Sequence, residues 1–288
     1  MTPLIAPSDL AALLDAPRLS ERPVVLDVRY RLGGPPGKAD HDAAHLPGAV
    51  YLDLDTELAD PPGAGGRHPL PSHDRLQAAL RRAGVHDGSR VVAHDDGNGT
   101  VAARAWWLLR WAGLPADRVA VLDGGFAAWV GAGLPVTDEP SRPEAGEVTV
   151  RPGGMPVLDA DGAAALARRG VLLDARVGPR YRGETEPVDA KAGHIPGALN
   201  APAVDLAGPD GRWPAPEVVA ERFSALGVDD GPGDAAAYCG SGVTAAALVL
   251  AVEHARLRPP ARPIALYVGS WSSWSADPSR PVATGAAP

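Results

Sequence analysis

The chain has 288 residues, a length that at roughly 100 to 200 residues per domain predicts two domains. Hydrophobic residues make up 45% of it and charged residues 22%, which excludes a chain disordered throughout and a fibrous protein. The net charge is −8 and no basic run stands out, so nucleic acid is not an expected partner. Because there is neither a run of about 18 apolar residues nor a signal peptide, we expect a cytoplasmic protein without a membrane segment.

Predicted helices and strands alternate along the chain. Short β-branched runs predict strands, and Ala/Leu-rich runs with Ser or Asp caps predict helices. In chain order, the first half contains a helix at 8–16, a strand at 24–29, a helix at 73–84, a strand at 90–95, a helix at 100–113 and a strand at 118–123. The second half contains a helix at 158–170, a strand at 171–176, a helix at 216–227, a short strand before Cys239, a helix at 244–255 and a strand at 263–268. This alternation predicts the α/β class, with mostly parallel sheets flanked by helices.

The two halves of the sequence resemble each other. VVLDVR (24–29) recurs as VLLDAR (171–176), AHLPGAVYLDLD (44–55) as GHIPGALNAPAVDL (193–206), and DGGFAAWVGAGLPV (123–136) as VGSWSSWSADPSRPV (268–282). The matched segments keep their order and nearly the same separation, which indicates a tandem repeat of one domain. We predict a first domain at 1–138, a linker at 139–152 and a second domain at 153–288.

The only cysteine, Cys239, lies between a short apolar strand and an Ala-rich helix. A single cysteine excludes an internal disulfide and a cysteine-based metal cluster, and we expect no metal and no other cofactor. Gly240 and Gly242 allow the backbone N–H groups of the loop to turn inward, and the helix start near Thr244 adds the positive end of its dipole. Such a loop stabilises a thiolate, so Cys239 is predicted to be a nucleophile rather than an inert core residue.

These features together resemble the two-domain rhodanese family of sulfurtransferases. The resemblance rests on the tandem domains, the segments HLPGA (45–49) and HIPGA (194–198), the loop CGSGVT (239–244) and YVGSWSSW (267–274). It implies two tandem rhodanese-like domains, of which the first is catalytically silent because Asp95 occupies the position of Cys239. It also implies a small-molecule donor, 3-mercaptopyruvate or thiosulfate. The sulfur would form a persulfide on Cys239 and pass to thioredoxin, a small thiol or cyanide.

The resemblance further implies how the donor is bound. Arg180 matches the arginine that binds the anionic end of the donor. Backbone N–H groups of the loop would hold the transferred sulfur as an anion, and the loop residues concerned are Gly240, Gly242, Val243 and Thr244. The loop is similar to that of the branch that uses 3-mercaptopyruvate, but the second arginine usual in that branch is missing. Asp189 lies near its position, and Lys191 is the nearest cation.

Three more residues match a serine-protease-like trio of the mercaptopyruvate branch. These are Ser241 in the loop, together with His68 and Asp55 from the first half of the chain. By this resemblance the trio would move the proton that is needed when the enol of pyruvate leaves.

Other residues are predicted to be structural, and the sequence allows two alternatives to sulfur transfer to be compared with it. His45 and His194 occur in both copies and are expected to bond to the fold, as are the strand-end pairs Asp27 with Arg29 and Asp174 with Arg176. A cysteine phosphatase needs an arginine six positions after its cysteine, where this chain has Ala245. The remaining alternative is a sulfur carrier or binding scaffold that does not turn over.

Overall fold

The computed structural model describes residues 2–230 and 234–288, and it divides into two compact units. The first unit comprises Met1–Asp60, Pro71–Gly154 and Ala207–Trp213. The second comprises Pro61–Leu70, Met155–Leu206 and Pro214–Pro288. Each unit therefore contains most of one sequence repeat together with a short segment of the other.

The first unit is built around a five-stranded sheet in which all neighbouring strands run parallel. In spatial order the strands are β1 (Leu4–Ile5), β5 (Val119–Leu122), β4 (Val91–His94), β2 (Val24–Asp27) and β3 (Val50–Tyr51). The helices are α1 (Pro7–Leu14), α2 (Lys38–Ala43), α3 (His73–Arg82), α4 (Ala102–Trp111) and α5 (Gly125–Gly131). The predicted strands and helices of this half are confirmed, and the two-residue edge strands, α2 and α5 add to them.

The second unit repeats the same sheet order, which confirms the tandem repeat. Its parallel strands are β6 (Val157–Leu158), β10 (Ala265–Tyr267), β9 (Ala235–Tyr238), β7 (Val171–Asp174) and β8 (Leu199–Asn200). Its helices are α6 (Ala160–Arg169), α7 (Gly178–Tyr181), α8 (Pro216–Ala225), α9 (Ala245–His254) and α10 (Ser270–Ala276). The α/β class is confirmed for both units.

Side-chain caps fix the starts of one helix in each unit. Ser72 accepts a hydrogen bond from the backbone N–H of Arg75 at 3.3 Å at the start of α3, and Asp159 accepts from Gly162 at 2.7 Å at the start of α6. Each cap satisfies an N–H group that has no partner within its helix. No helix in the described ranges is both long and apolar enough to cross a bilayer.

The helix that follows the fourth strand of each copy is buried. All ten residues of α4 are buried, and so is α9 from Ala245 to Glu253. The side chains of both helices are thus covered on every face, including those of Arg104 and Arg110 in α4. The core of the first unit includes Leu10, Val25, Leu46, Val92 and Trp129, and that of the second includes Leu166, Leu172, Ile195, Tyr238 and Trp271.

The segment predicted as a linker, 139–152, lies within the first unit. The N–H of Gly146 donates to the carbonyl of Arg81 at 2.8 Å, and the N–H of Val148 donates to the carbonyl of Val85 at 3.1 Å. These bonds attach the segment to the last turn of α3 and to the residues that follow the helix. The domain limits given by sequence stay a prediction.

Candidate active site

Cys239 lies at the carboxyl end of the central strand β9, directly before the loop that leads into α9. Its side chain is buried. Its N–H donates to Ser270 Oγ at 3.1 Å, and its carbonyl accepts the N–H of Trp271 at 2.9 Å. The next carbonyl, that of Gly240, accepts the N–H of Ser272 at 2.8 Å. The start of α10 therefore fixes the backbone on which the thiol is mounted.

Gly242 brings a backbone N–H group to the sulfur of Cys239. Its N–H donates to Cys239 Sγ at 3.1 Å. This geometry needs a φ of +78°, and a Cβ at this position would overlap the carbonyl oxygen of Val268 and lie 3.1 Å from its carbonyl carbon. Only glycine accommodates both the positive φ and the close approach of Val268. The N–H bond to the sulfur therefore depends on glycine at this position.

Ser241 and His68 meet in the second unit. Ser241 Oγ and His68 Nδ1 are 2.7 Å apart, and both residues are buried. His68 reaches this place because the segment 61–70 belongs to the second unit, where Arg67 N–H donates to Ser272 Oγ at 3.0 Å. Asp55, the third predicted member of the trio, belongs to the first unit, and its role stays a prediction.

Arg180 lies on α7 with its guanidinium group held by two carboxylates. It donates to Glu186 through Nε at 3.2 Å and Nη2 at 2.6 Å, and Nη2 also lies 2.9 Å from Asp189 Oδ2. Burial raises the pKa of Glu186, but hydrogen bonds from Arg180 and from the N–H groups of Asp189 and Val188 outweigh it and hold this pKa below its ordinary value. The anionic Glu186 thus keeps the arginine oriented at neutral pH.

A second guanidinium group at the site comes from Arg67, which the sequence interpretation missed. Arg67 Nη1 donates to Asp189 Oδ1 at 2.7 Å, on the carboxylate that also binds Arg180. Lys191, the cation expected to be nearest, instead donates to the carbonyl of Asp277 at 2.9 Å. The only sequence signal for Arg67 is its position directly before His68.

The buried pair of Asp174 and Arg176 contacts Trp271, which in turn binds the backbone of Cys239. Arg176 Nη2 and Asp174 Oδ2 are 2.6 Å apart, as predicted for a strand-end ion pair. The guanidinium carbon of Arg176 lies 4.4 Å from the ring centroid of Trp271, a cation–π contact. Because the N–H of Trp271 holds the Cys239 carbonyl, the pair helps to fix the loop.

The corresponding pair of the first unit contains Asp27. Its carboxylate accepts from Arg29 Nη2 at 2.6 Å, and its Oδ2 lies 2.8 Å from His41 Nδ1. Burial raises the pKa of Asp27, but His94, His41 and Arg29 outweigh it and place this pKa well below its ordinary value. Asp27 is therefore an anion in the folded protein.

Asp95 fills the corresponding loop of the first unit with its own carboxylate. Oδ1 accepts the N–H groups of Gly97 and Gly99 at 3.0 Å each, and Oδ2 accepts those of Val101 and Ala102 at 3.0 and 3.1 Å. The backbone of this repeat thus forms an anion-binding loop, here occupied by an internal anion. The loop has one residue more than that of the second unit, since six residues separate Asp95 from α4 and five separate Cys239 from α9.

The paired histidines bond to the fold in the way the sequence predicts. His45 Nδ1 lies 2.7 Å from the carbonyl of His41, and His194 Nδ1 lies 2.8 Å from that of Tyr181. The His194 ring also stacks on Tyr181, with centroids 3.8 Å apart. Within residues 2–230 and 234–288 no group of three or more His, Cys, Asp or Glu side chains is arranged to hold a metal ion.

Comparison with known proteins identifies the family. The model of the rhodanese-like domain matches residues 6–132 and 159–277. The chain belongs to the rhodanese family. This rhodanese is 45% identical, over 98% of each chain, to a protein of Pseudomonas aeruginosa named a probable 3-mercaptopyruvate sulfurtransferase. It is 44% identical, over 99% of this chain and 98% of the other, to a protein of Mycobacterium tuberculosis provisionally named thiosulfate sulfurtransferase SseB.

A crystal structure supports the same assignment. SseA from Escherichia coli, a 3-mercaptopyruvate sulfotransferase, matches this rhodanese with a TM-score of 0.79 at 28% identity, over 94% of this chain and 100% of SseA. The relatives agree on the transfer of sulfur, and the chain is a sulfurtransferase. Identities of 45% and 44% to proteins named for different donors do not separate the donors.

Proposed function

We propose that this rhodanese takes sulfur preferentially from 3-mercaptopyruvate, with thiosulfate as a second donor, onto Cys239 as a persulfide. The observation that carries the proposal is the geometry of one loop. Gly242 donates its N–H to Cys239 Sγ at 3.1 Å, and the neighbouring Ser241 lies 2.7 Å from His68. The loop therefore combines a nucleophile, a donor to its sulfur and a group that can move a proton.

In the first half-reaction the Cys239 thiolate attacks the sulfur of the donor. A sulfur–sulfur bond forms, the carbon–sulfur bond of 3-mercaptopyruvate breaks, and its electron pair leaves on the enolate of pyruvate. With thiosulfate, the bond between the two sulfurs breaks and sulfite leaves. In the first unit, the corresponding loop binds the carboxylate of Asp95 through four backbone N–H groups. By analogy, the loop after Cys239 would bind the transferred sulfur as an anion.

The pair of Ser241 and His68 favours the mercaptopyruvate donor. The enolate of pyruvate must gain a proton, whereas sulfite leaves as a stable anion and needs none. Because Ser241 Oγ and His68 Nδ1 are 2.7 Å apart, one proton can pass between them in either direction. A buried proton-transfer pair beside the nucleophile serves the first donor and is idle with the second.

In the second half-reaction an acceptor thiolate attacks the outer sulfur of the persulfide and restores the Cys239 thiolate. Cys239 is the only cysteine of the chain, so no second thiol of the same chain takes part. Thioredoxin or a small thiol is the proposed acceptor, and cyanide serves in assays. The cytoplasmic location predicted from the sequence stays a prediction.

The decisive experiment treats the purified protein with each donor in the absence of acceptor and measures its intact mass. We expect a gain of one sulfur atom that disappears on addition of cyanide, with multiple turnovers when donor and acceptor are both present. Cys239→Ser should retain its thermal unfolding midpoint and lose both the mass gain and the turnover. Full activity of this variant would exclude the mechanism, and a mass gain without turnover would favour the carrier alternative.

A further inference from the structure

Two guanidinium groups face the residue that follows the nucleophile. A Cβ atom placed on Gly240 would lie 3.2 Å from Arg67 Nη2 and 3.5 Å from Arg180 Nη1. Because glycine has no side chain, residue 240 does not block the space between these two nitrogens and the backbone of the loop. Arg67 and Arg180 thus present N–H donors to the space beside Cys239.

Arg67 has one buried N–H group, that of Nε, without a hydrogen-bond partner among the described residues. Its Nη1, by contrast, donates to Asp189 at 2.7 Å. Nε and Nη2 form the edge of a guanidinium that binds both oxygens of a carboxylate at once. A buried N–H group is normally satisfied, so the unpartnered Nε, with Nη2 beside it, fits a ligand with carboxylate chemistry.

The charges around the two arginines are balanced. Asp189 lies 2.7 Å from Arg67 Nη1 and 2.9 Å from Arg180 Nη2, and Glu186 lies 2.6 Å from Arg180 Nη2. Two positive and two negative side chains thus cancel formally, with the carboxylates only 4% exposed. Such a site offers N–H donors without a net positive charge, so a second negative charge on the ligand gains less attraction there than it would from two arginines without paired carboxylates.

We infer that Arg67 and Arg180, bridged by Asp189, form a charge-balanced clamp that binds the single carboxylate of the donor and disfavours a dianionic donor. The inference rests on the proposed function and deepens it, because it names the second donor-binding residue and the charge class of the donor. Arg67 replaces in space the second cation that the sequence around Asp189 lacks. Asp189 is a specificity residue, since it neutralises one of the two arginines.

The test compares Arg67→Gln and Asp189→Asn with a matched control, Arg182→Gln, whose side chain forms an exposed pair with Glu184. Steady-state kinetics are measured with 3-mercaptopyruvate and with thiosulfate, and pyruvate binding is measured by calorimetry. Arg67→Gln should raise KM for 3-mercaptopyruvate about ten- to hundredfold with little change in kcat. A contact made equally in the enzyme–substrate complex and in the transition state changes KM and leaves kcat unchanged. Asp189→Asn should raise kcat/KM for thiosulfate relative to 3-mercaptopyruvate at least about tenfold.

An unchanged KM in Arg67→Gln, or an unchanged donor ratio in Asp189→Asn, would overturn the clamp. If Arg67→Gln lowers the thermal unfolding midpoint too far for assay, Arg67→Lys replaces it, with a smaller rise in KM expected from a single contact point. If the unsubstituted protein uses neither donor, the proposed function fails on its own. In that case the affinity for pyruvate, measured by calorimetry, tests the clamp. Arg67→Gln should bind pyruvate at least about tenfold more weakly than the Arg182→Gln control.

Discussion

Replacing Gly242 by alanine tests whether the backbone of the loop is responsible for both its stability and its chemistry. Gly242 has a φ of +78°, and an added Cβ would meet the backbone of Val268, which cannot move as a flexible side chain can. Gly48 offers a matched control, because its φ is also +78° and an added Cβ would meet no atom within 4 Å.

Comparing the two substitutions separates the cost of a left-handed backbone conformation from the cost of steric overlap with Val268. A non-glycine residue in the left-handed region costs about 1–2 kcal/mol, which is the full effect expected for Gly48→Ala. Overlap with a packed backbone adds about 1–3 kcal/mol, so Gly242→Ala should cost about 2–5 kcal/mol. Displacing the loop also weakens the N–H bond to Cys239 Sγ. A hydrogen bond to a charged group is worth about 1.5–3 kcal/mol, which corresponds to a loss of about ten- to 150-fold in kcat/KM.

Urea unfolding followed by circular dichroism gives the free energies of unfolding, and steady-state sulfur transfer gives kcat/KM. Gly48→Ala should lose stability but keep its activity below the unfolding transition. If Gly242→Ala proves as stable as Gly48→Ala and as active as the unsubstituted protein, the N–H of Gly242 has no role and the steric reasoning is wrong.

Three further predictions concern other groups. The double variant Ser241→Ala with His68→Ala should lower kcat with 3-mercaptopyruvate more than with thiosulfate; equal losses would exclude the proton-transfer role. Asp95→Ala leaves four backbone N–H groups without an acceptor and should cost about 2–4 kcal/mol in urea unfolding, with unchanged transfer rates per folded molecule. The pKa of Asp27 is depressed in the folded state, so its stabilisation is present above about pH 4 and lost as the pH falls further. The stability deficit of Asp27→Asn should therefore shrink between about pH 4 and pH 2, and a constant deficit would contradict it.

Much of the fold and the nucleophile follow from local sequence patterns. The apolar runs around Val24 and Val171 are long enough to specify interior strands, and the change from strand to glycine loop to Ala-rich helix locates Cys239. The edge strands β1, β3, β6 and β8 contain two residues each, too few for any periodicity to detect. They exist because a longer neighbour supplies their hydrogen bonds.

The second arginine could not be predicted because its partner is distant in sequence. Arg67 and Asp189 are separated by 122 positions, and Arg67 belongs to a different unit from the helix α3 that follows it. Composition and spacing report on neighbours along the chain, and the family resemblance led to Arg180 and Asp189. Neither could locate Arg67, which contacts Asp189 only in the folded chain. The pairing of Ser241 with His68 was accessible only through family resemblance, for the same reason.

Because residues 61–70 belong to the second unit, a protein that lost the first repeat would also lose part of that unit. A polypeptide reduced to the second repeat would keep its thiol and Arg180 but would lack the imidazole of His68 and the guanidinium of Arg67. Asp95 deprives the first repeat of a nucleophile, yet deleting that repeat would remove two side chains from the site of the other. Loss of the first repeat would therefore cost the second unit the whole segment Pro61–Leu70, although this segment precedes the second repeat by about 85 residues in the chain.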